Sequence, residues 1–185
     1  LHNNGAVKAV IEKLKEGGHT YEKDGALWLK ATDFGGDQDF VLVRSNGFPT
    51  YIVPDIAYHY DKLITRAYDK AINVLGADHH GYVQRMRIAL SALGIDDKRL
   101  DVVIMQMVML IRDGKPCKLS KRSGKAITLT TLLDEVPIDA ARFVFNQRNA
   151  DTHLEFDLDL AVEESSKNPV FYVQYAHARI CSVIR

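Results

Sequence analysis

The sequence predicts an α/β fold, the second half of a doubly wound, Rossmann-like parallel sheet followed by a helical segment. Three observations carry that expectation. Two short apolar runs, AINVLG at 71–76 and DVVIMQMVML at 101–110, have the shape of buried parallel strands. Between them lies a helical stretch, roughly 79–93, closed by Gly94. After about residue 150 the remaining segments read as helices. Strand–helix–strand alternation at this spacing argues a parallel sheet with crossover helices.

Taken in order, residues 6–16 place Val7, Val10, Ile11 and Leu14 at helical spacing, and Gly17-Gly18 ends the run. Tyr21 to Leu29 reads as a hairpin around Asp24-Gly25. FVLVR at 40–44 reads as a strand before the Asn46-Gly47 turn, so 19–45 forms a small β-rich insertion. Pro54 suits the first turn of a helix that runs to about Ala67, with Asp55 where the helix dipole favours a carboxylate. A polar, basic loop occupies 112–126. Helices follow near 130–135, 138–147 and 158–165, and a last one starts at Asn168-Pro169. The expected division is 1–150, then 151–185 as a helical part.

Composition excludes several classes. Of the 185 residues 46% are apolar and 26% charged, which supports a packed core and argues against disorder. Basic and acidic residues balance at a net charge of zero, so any nucleic-acid contact must come from local clusters. Cys117 and Cys181, far apart, suit neither a disulfide scaffold nor a zinc site and fit a reducing compartment. No apolar run approaches the roughly 18 residues of a membrane span, so a cytoplasmic setting without membrane contact is expected. The chain opens Leu1-His2-Asn3-Asn4 and ends within an apolar, aromatic segment, so both ends read as cut.

The sharpest segment is DGKPCKLSKRSGKAITL at 113–129. Lys115, Lys118, Lys121, Arg122 and Lys125 are interleaved with Ser120, Ser123 and Gly124. Such a loop can wrap a polyphosphate through ammonium groups, hydroxyls and free backbone N–H groups. A solvated basic loop is the plain alternative. A P-loop is excluded, because Ala126 stands where Ser or Thr is required and Leu119 where the first Gly should be.

Lys118-Leu119-Ser120-Lys121-Arg122 resembles the KMSKS loop of class I aminoacyl-tRNA synthetases, with Leu for Met and Arg for the final Ser. Leu75-Gly76-Ala77-Asp78-His79-His80 resembles that class's adenosine-holding segment at a strand-to-helix junction, where ligands of doubly wound sheets bind. Tyr51-Ile52-Val53-Pro54-Asp55-Ile56-Ala57-Tyr58-His59 is similar to the segment of the arginyl-tRNA synthetase family in which a Tyr and an Asp four residues later bind the substrate. The tail NPVFYVQYAHAR at 168–179 is similar to the opening helix of its anticodon-binding domain, and segments 139–145 and 153–161 also match.

The resemblance covers essentially the whole chain. It implies an ATP-dependent ligase that makes arginyl-adenylate and passes arginine to its tRNA, with the first step needing bound tRNA. The implied partners are arginine and tRNA, with ATP as substrate and Mg²⁺ accompanying it. Lys121 would act on the phosphates, with Lys118 and Ser120 supporting. Gly76, Asp78 and His79 would hold the nucleoside, with Met107 and Val108 offering backbone groups to adenine. Tyr51 and Asp55 would read the arginine side chain. Each residue also has a purely structural alternative: a helix N-cap for Asp78, core packing or metal ligation for the histidines, a dipole-complementing carboxylate for Asp55 and a core ring for Tyr51. No His-x-Gly-His occurs, so the chain lacks the HIGH half of the site and is expected to be inactive alone. A non-catalytic nucleotide- or tRNA-binding module is the rival function; a related enzyme with a small acceptor would leave the tail unexplained.

Overall fold

The computed structural model describes residues 5–117 and 128–185 and divides into two compact units, Leu1–Ile104 and Met105–Arg185. Each is built on its own core.

The first unit opens with α1 (Ala6–Glu16), which buries Val7, Val10 and Leu14 along one stripe. Its end shows how sequence writes a boundary. Gly18 takes φ +72°, and the N–H groups of Gly18 and His19 donate to the Lys15 and Leu14 carbonyls at 2.9 and 3.1 Å. That is a Schellman closure, and it turns the chain into β1. Strands β1 (Thr20–Lys23), β2 (Ala26–Leu29) and β3 (Phe40–Val43) form an antiparallel sheet in that order. Asp24 and Gly25 both have positive φ, as a two-residue I′ hairpin turn demands. Leu27, Leu29, Phe40 and Leu42 alternate onto the buried face. Asp39 ties the sheet to the turn before it: its carboxylate accepts from the Thr32 N–H and hydroxyl and from the Tyr21 phenol, each at 3.0 Å. The Thr32 N–H in particular holds the Asp39 carboxyl below its usual range.

Helix α2 (Ile52–Tyr60) carries Pro54 in its first turn, where no intrahelical N–H is needed. The helix expected to reach Ala67 stays α-helical only to Tyr60 and widens into a π turn over Asp61–Thr65. Arg99 closes that turn, donating to the carbonyls of Leu63 at 2.9 Å, Tyr68 at 2.7 Å and Asp69 at 3.1 Å. These late carbonyls lack helical partners, and a guanidinium fork supplies several donors at once.

Strand β4 (Ala71–Gly76), helix α3 (His80–Ala92) and strand β5 (Leu100–Met105) make a strand–helix–strand unit with β4 and β5 as hydrogen-bonded neighbours. One face meets the core through Ala71 and Leu100, against Met86, Ala89 and Leu90 of α3. The other is open. Ile72 and Val74 are 63% and 61% exposed, so β4 is not the fully buried strand its composition predicts. The run 101–110 is also not one strand. It breaks at Gln106, whose N–H donates to the Ala150 carbonyl at 2.8 Å, and continues as β6 (Val108–Arg112) in the second unit.

In that unit β6 pairs antiparallel with β7 (Lys115–Pro116) around an Asp113-Gly114 turn and parallel with β8 (Leu154–Asp157). The helices α4 (Leu129–Glu135), α5 (Ile138–Asn146), α6 (Leu158–Val162) and α7 (Pro169–Ile184) complete it. Strand β8 falls in a stretch that reads as helical, and α6 stops three residues short of the expected 165. Phe156 sits at the centre of this core with Leu110, Leu132, Val136 and Leu158. Asp157 caps α6, accepting from the N–H groups of Asp159 and Leu160, and Asn168 caps α7 with Pro169 at its first position. The α/β class is borne out, with parallel pairing and helices joining the strands. Among the described residues no helix is long and apolar enough to cross a membrane.

Candidate active site

Helix spacing builds the first cleft. Tyr51, Asp55, His59 and Lys62 fall along one side of α2 and its π extension, roughly four residues apart. They face Ile72, Asn73, Val74 and Leu75 of β4 and His79 and Tyr82 around the start of α3, across a cleft of about 600 Å³. Tyr51 is 88% exposed, so it is not a core ring. Asp55 is exposed, and its Oδ2 accepts a hydrogen bond from the Tyr82 phenol at 2.9 Å.

Beneath Asp55 runs a directed polar chain. His59 is buried; its Nδ1 lies 2.7 Å from the Asp55 carbonyl oxygen and its Nε2 2.7 Å from Asn73 Nδ2. A carbonyl only accepts, so Nδ1 carries the proton and Nε2 accepts from the Asn73 amide. Asn73 Oδ1 in turn accepts from Lys62 Nζ at 3.3 Å. The ammonium dictates which way the amide points, and the amide dictates the tautomer. Burial pushes His59 below its ordinary 6.5, and the Lys62 charge adds to the effect. Burial also lowers Lys62, whose Nζ sits 4.4 Å from the centre of the Tyr58 ring.

A neutral buried imidazole has a pH signature. The unfolded chain gains a proton below about 6.5 that the folded chain resists, so stability is full above 6.5 and falls as pH drops towards the lower folded value. His59→Gln should flatten the dependence of melting temperature on pH below 6.5. An unchanged slope in the variant would remove His59 from the account.

At the junction of β4 and α3, Gly76 ends the strand and Asp78 lies in the 3₁₀ turn before the helix. A Cβ at Gly76 would stand 2.7 Å from Asp78 Oδ1, so glycine leaves room for the carboxylate where it is. Asp78 does not cap α3: the N-cap position is His79, with no side-chain cap bond. Its side chain is 81% exposed, with Oδ2 3.7 Å from His79 Nε2. Among the described residues no group of three His, Cys, Asp or Glu could hold a metal ion.

Met107 and Val108 lie in the second unit, at the break between β5 and β6 rather than at the end of one continuous strand. They line a cleft of about 430 Å³ with Met109, Leu110, Cys117, His153, Leu154 and Glu155. Lys118, Ser120 and Lys121 lie outside the described residues. The described residues on either side are Cys117, whose N–H donates to the Leu110 carbonyl at 2.8 Å, and Thr128, which caps α4. The structure thus gathers Tyr51, Asp55 and His79 around one cleft, sets Gly76 and Asp78 between cleft residues Leu75 and His79 in sequence, and assigns Met107 and Val108 to another.

Residues 2–183 match the sequence family described as tRNA synthetases class I (R), catalytic domain. The chain belongs to the arginyl-tRNA synthetase family. Over its full length it is 62% identical to the arginine–tRNA ligase of Caldanaerobacter subterraneus subsp. tengcongensis and 55% identical to that of Bacillus subtilis. It spans 33% of each, about a third of these curated relatives. A Campylobacter jejuni chain described as an arginyl-tRNA synthetase superposes with TM-score 0.85 at 44% identity, over 96% of this chain and 39% of that one. The Thermus thermophilus arginyl-tRNA synthetase shares the fold, with TM-score 0.79 at 22% identity over 98% of this chain and 40% of that one.

Four cleft residues of this arginyl-tRNA synthetase family member receive no role from sequence reasoning: His59, Lys62, Asn73 and Tyr82. Signals exist for each. His59 continues the i, i+4 series of Tyr51 and Asp55, Lys62 adds one more turn, and Tyr82 follows His79 by three. Asn73 is the one amide within an otherwise apolar strand.

Proposed function

We propose that this chain is part of an arginine–tRNA ligase and supplies its arginine-reading cleft. The observation that supports this most is the exposed Asp55 carboxylate, held from the side by Tyr82, in a cleft that also carries the open Tyr51 ring. A guanidinium is a planar, permanently charged fork of donors. Asp55 would accept from it, and Tyr51 would offer a phenolic oxygen and a face for the aliphatic stem.

The reaction has two steps. A carboxylate oxygen of arginine attacks the α-phosphorus of ATP, forming arginyl-adenylate and releasing pyrophosphate. A terminal ribose hydroxyl of the tRNA then attacks the arginyl carbonyl carbon and releases AMP. Asp78 would accept from the ribose hydroxyls of ATP, with Gly76 permitting close approach and His79 beside it. Met107 and Val108 would bound adenine in an apolar cleft, where backbone groups supply the polar recognition. Lys121, aided by Lys118 and Ser120, would neutralise the departing phosphates. Mg²⁺ would arrive with ATP. Residues 151–185 would form the helical connection and the first helix of the anticodon-binding domain, in a cytoplasmic enzyme.

The chain's one-third coverage of its relatives favours a second reading for the isolated chain, a binding module without catalysis. Arginine- and tRNA-dependent pyrophosphate exchange tests both. The complete protein should exchange, and this 185-residue chain alone should not. A complete protein that exchanges with another amino acid would overturn the arginine reading, and an active isolated chain would overturn the incompleteness of its site.

A further inference from the structure

We propose that Tyr82 is a positioning residue for substrate specificity: its phenol, planted on α3, fixes the Asp55 carboxylate of α2 so that the remaining acceptor positions meet a guanidinium. The inference rests on the arginine reading of Asp55 and extends it to a residue that touches the carboxylate rather than the substrate.

Selecting a guanidinium over an ammonium is a question of geometry. Both carry one positive charge, and a carboxylate free to swing accepts either. Only one held in place presents its oxygens at the spacing of the guanidinium fork. Asp55 sits exposed on a helix surface, where its rotamers alone would not fix it. Tyr82 supplies the constraint from another element. Its Oη donates to Oδ2 at 2.9 Å, and its ring is half-buried and packed against the core of the first unit. The phenol therefore moves with the scaffold and not with the helix that carries Asp55. Burial first, and then the carboxylate itself, keep the phenol protonated far beyond neutral pH, so it remains a donor. Among the described residues Oδ1 accepts no hydrogen bond, and Asp55 lines the cleft. On the main-chain side, the buried His59 ring is bonded to the carbonyl of the same residue at 2.7 Å. Asp55 is thus held at both its backbone and its carboxylate, as a preorganised site requires.

A plain structural tie between α2 and α3 would use the same hydrogen bond, so the test must separate the two. In the complete ligase, arginine KM and kcat are measured for Tyr82→Phe, Asp55→Asn and the double variant, with lysine as competing amino acid. Tyr82→Phe removes one oxygen. It should raise arginine KM about 10-fold, the scale of a lost hydrogen bond to a charged group, lower kcat far less, and narrow the preference for arginine over lysine. In the Asp55→Asn background the same change should alter KM by less than about 2-fold, because the group it positions is already gone. KM does not depend on the folded fraction, so a loss of stable enzyme in either variant leaves the comparison intact. An unchanged KM for Tyr82→Phe, or the full factor again in the Asp55→Asn background, overturns the positioning role. Should Asp55→Asn itself leave arginine KM unmoved, the arginine reading fails with it, which is a different result from Asp55→Asn acting alone.

Discussion

Asp55→Asn in the complete ligase is expected to raise the arginine KM on the order of 100-fold, the range for removing one partner of a hydrogen-bonded charge pair. The substitution keeps the shape of the side chain, and the amide oxygen can still accept from Tyr82 Oη, which lies 2.9 Å from the carboxylate. What it removes is the charge. It also places an N–H₂ where a guanidinium N–H must dock, so a favourable contact becomes a clash of donors. The fold should register little of this. Asp55 is exposed and makes no helix-capping bond, and the contact with His59 uses its backbone carbonyl. The two measurements together decide the matter. A steep rise in KM with an unchanged melting temperature assigns Asp55 to the substrate. A lower melting temperature with unaltered arginine kinetics would make it a structural carboxylate.

Lys121→Ala is expected to act on the other kinetic constant. Negative charge grows on the pyrophosphate oxygens as the α-phosphorus bond breaks, so an ammonium placed there stabilises the transition state more than bound ATP. The loss should appear in kcat, at about 10² or more, the range for a lost oxyanion donor. Arginine KM should change little, since on the proposed reading the guanidinium would be held at Asp55. A kcat within a few-fold of the parent enzyme would return Lys121 to the alternative of a solvated basic loop. Those two outcomes together would divide the reaction: one residue for recognition of the amino acid, the other for bond breaking at the phosphate.

Local sequence codes explain which parts of this fold can be read without coordinates. Asp24-Gly25 demands a specific turn, Gly17-Gly18 a helix end, and Asn168-Pro169 a helix start, and each is found where the residues call for it. Their physics is confined to a few neighbouring residues. The strands are different. An apolar run states that burial is favourable but not what provides it, so Ile72 and Val74 read as core yet lie open in this structure. The break at Gln106 is equally hidden, because it depends on an amide donating to Ala150, 44 positions along the chain by their numbering. Strand β8 is short, and its pairing with β6 lies in neither segment alone.

The candidate site divides along the same line. Tyr51 and Asp55 stand four apart on one helix, and a resemblance to a known segment carries them together. Tyr82 is 27 residues from Asp55, and only folding makes them neighbours. His59 could be found by continuing the helical count, but its tautomer could not. That depends on Asn73 from β4 and on the ammonium of Lys62 behind it.

The clamp that Arg99 places on the end of the π turn bears on how tightly such a cleft can hold its substrate. Three carbonyls from Leu63, Tyr68 and Asp69 converge on one guanidinium at the threshold of β5. The segment that carries Tyr51 and Asp55 therefore ends in a knot rather than a frayed coil. Rotational and torsional freedom that a loose helix would surrender when arginine arrives has already been surrendered when the chain folds. On the proposed arginine reading, less of the attraction between carboxylate and guanidinium would then be offset by ordering the receptor, and more of it would be left to separate arginine from its competitors. On the proposed reading, selectivity at Asp55 would begin eight residues and more away, at a cation outside the residues that line the cleft.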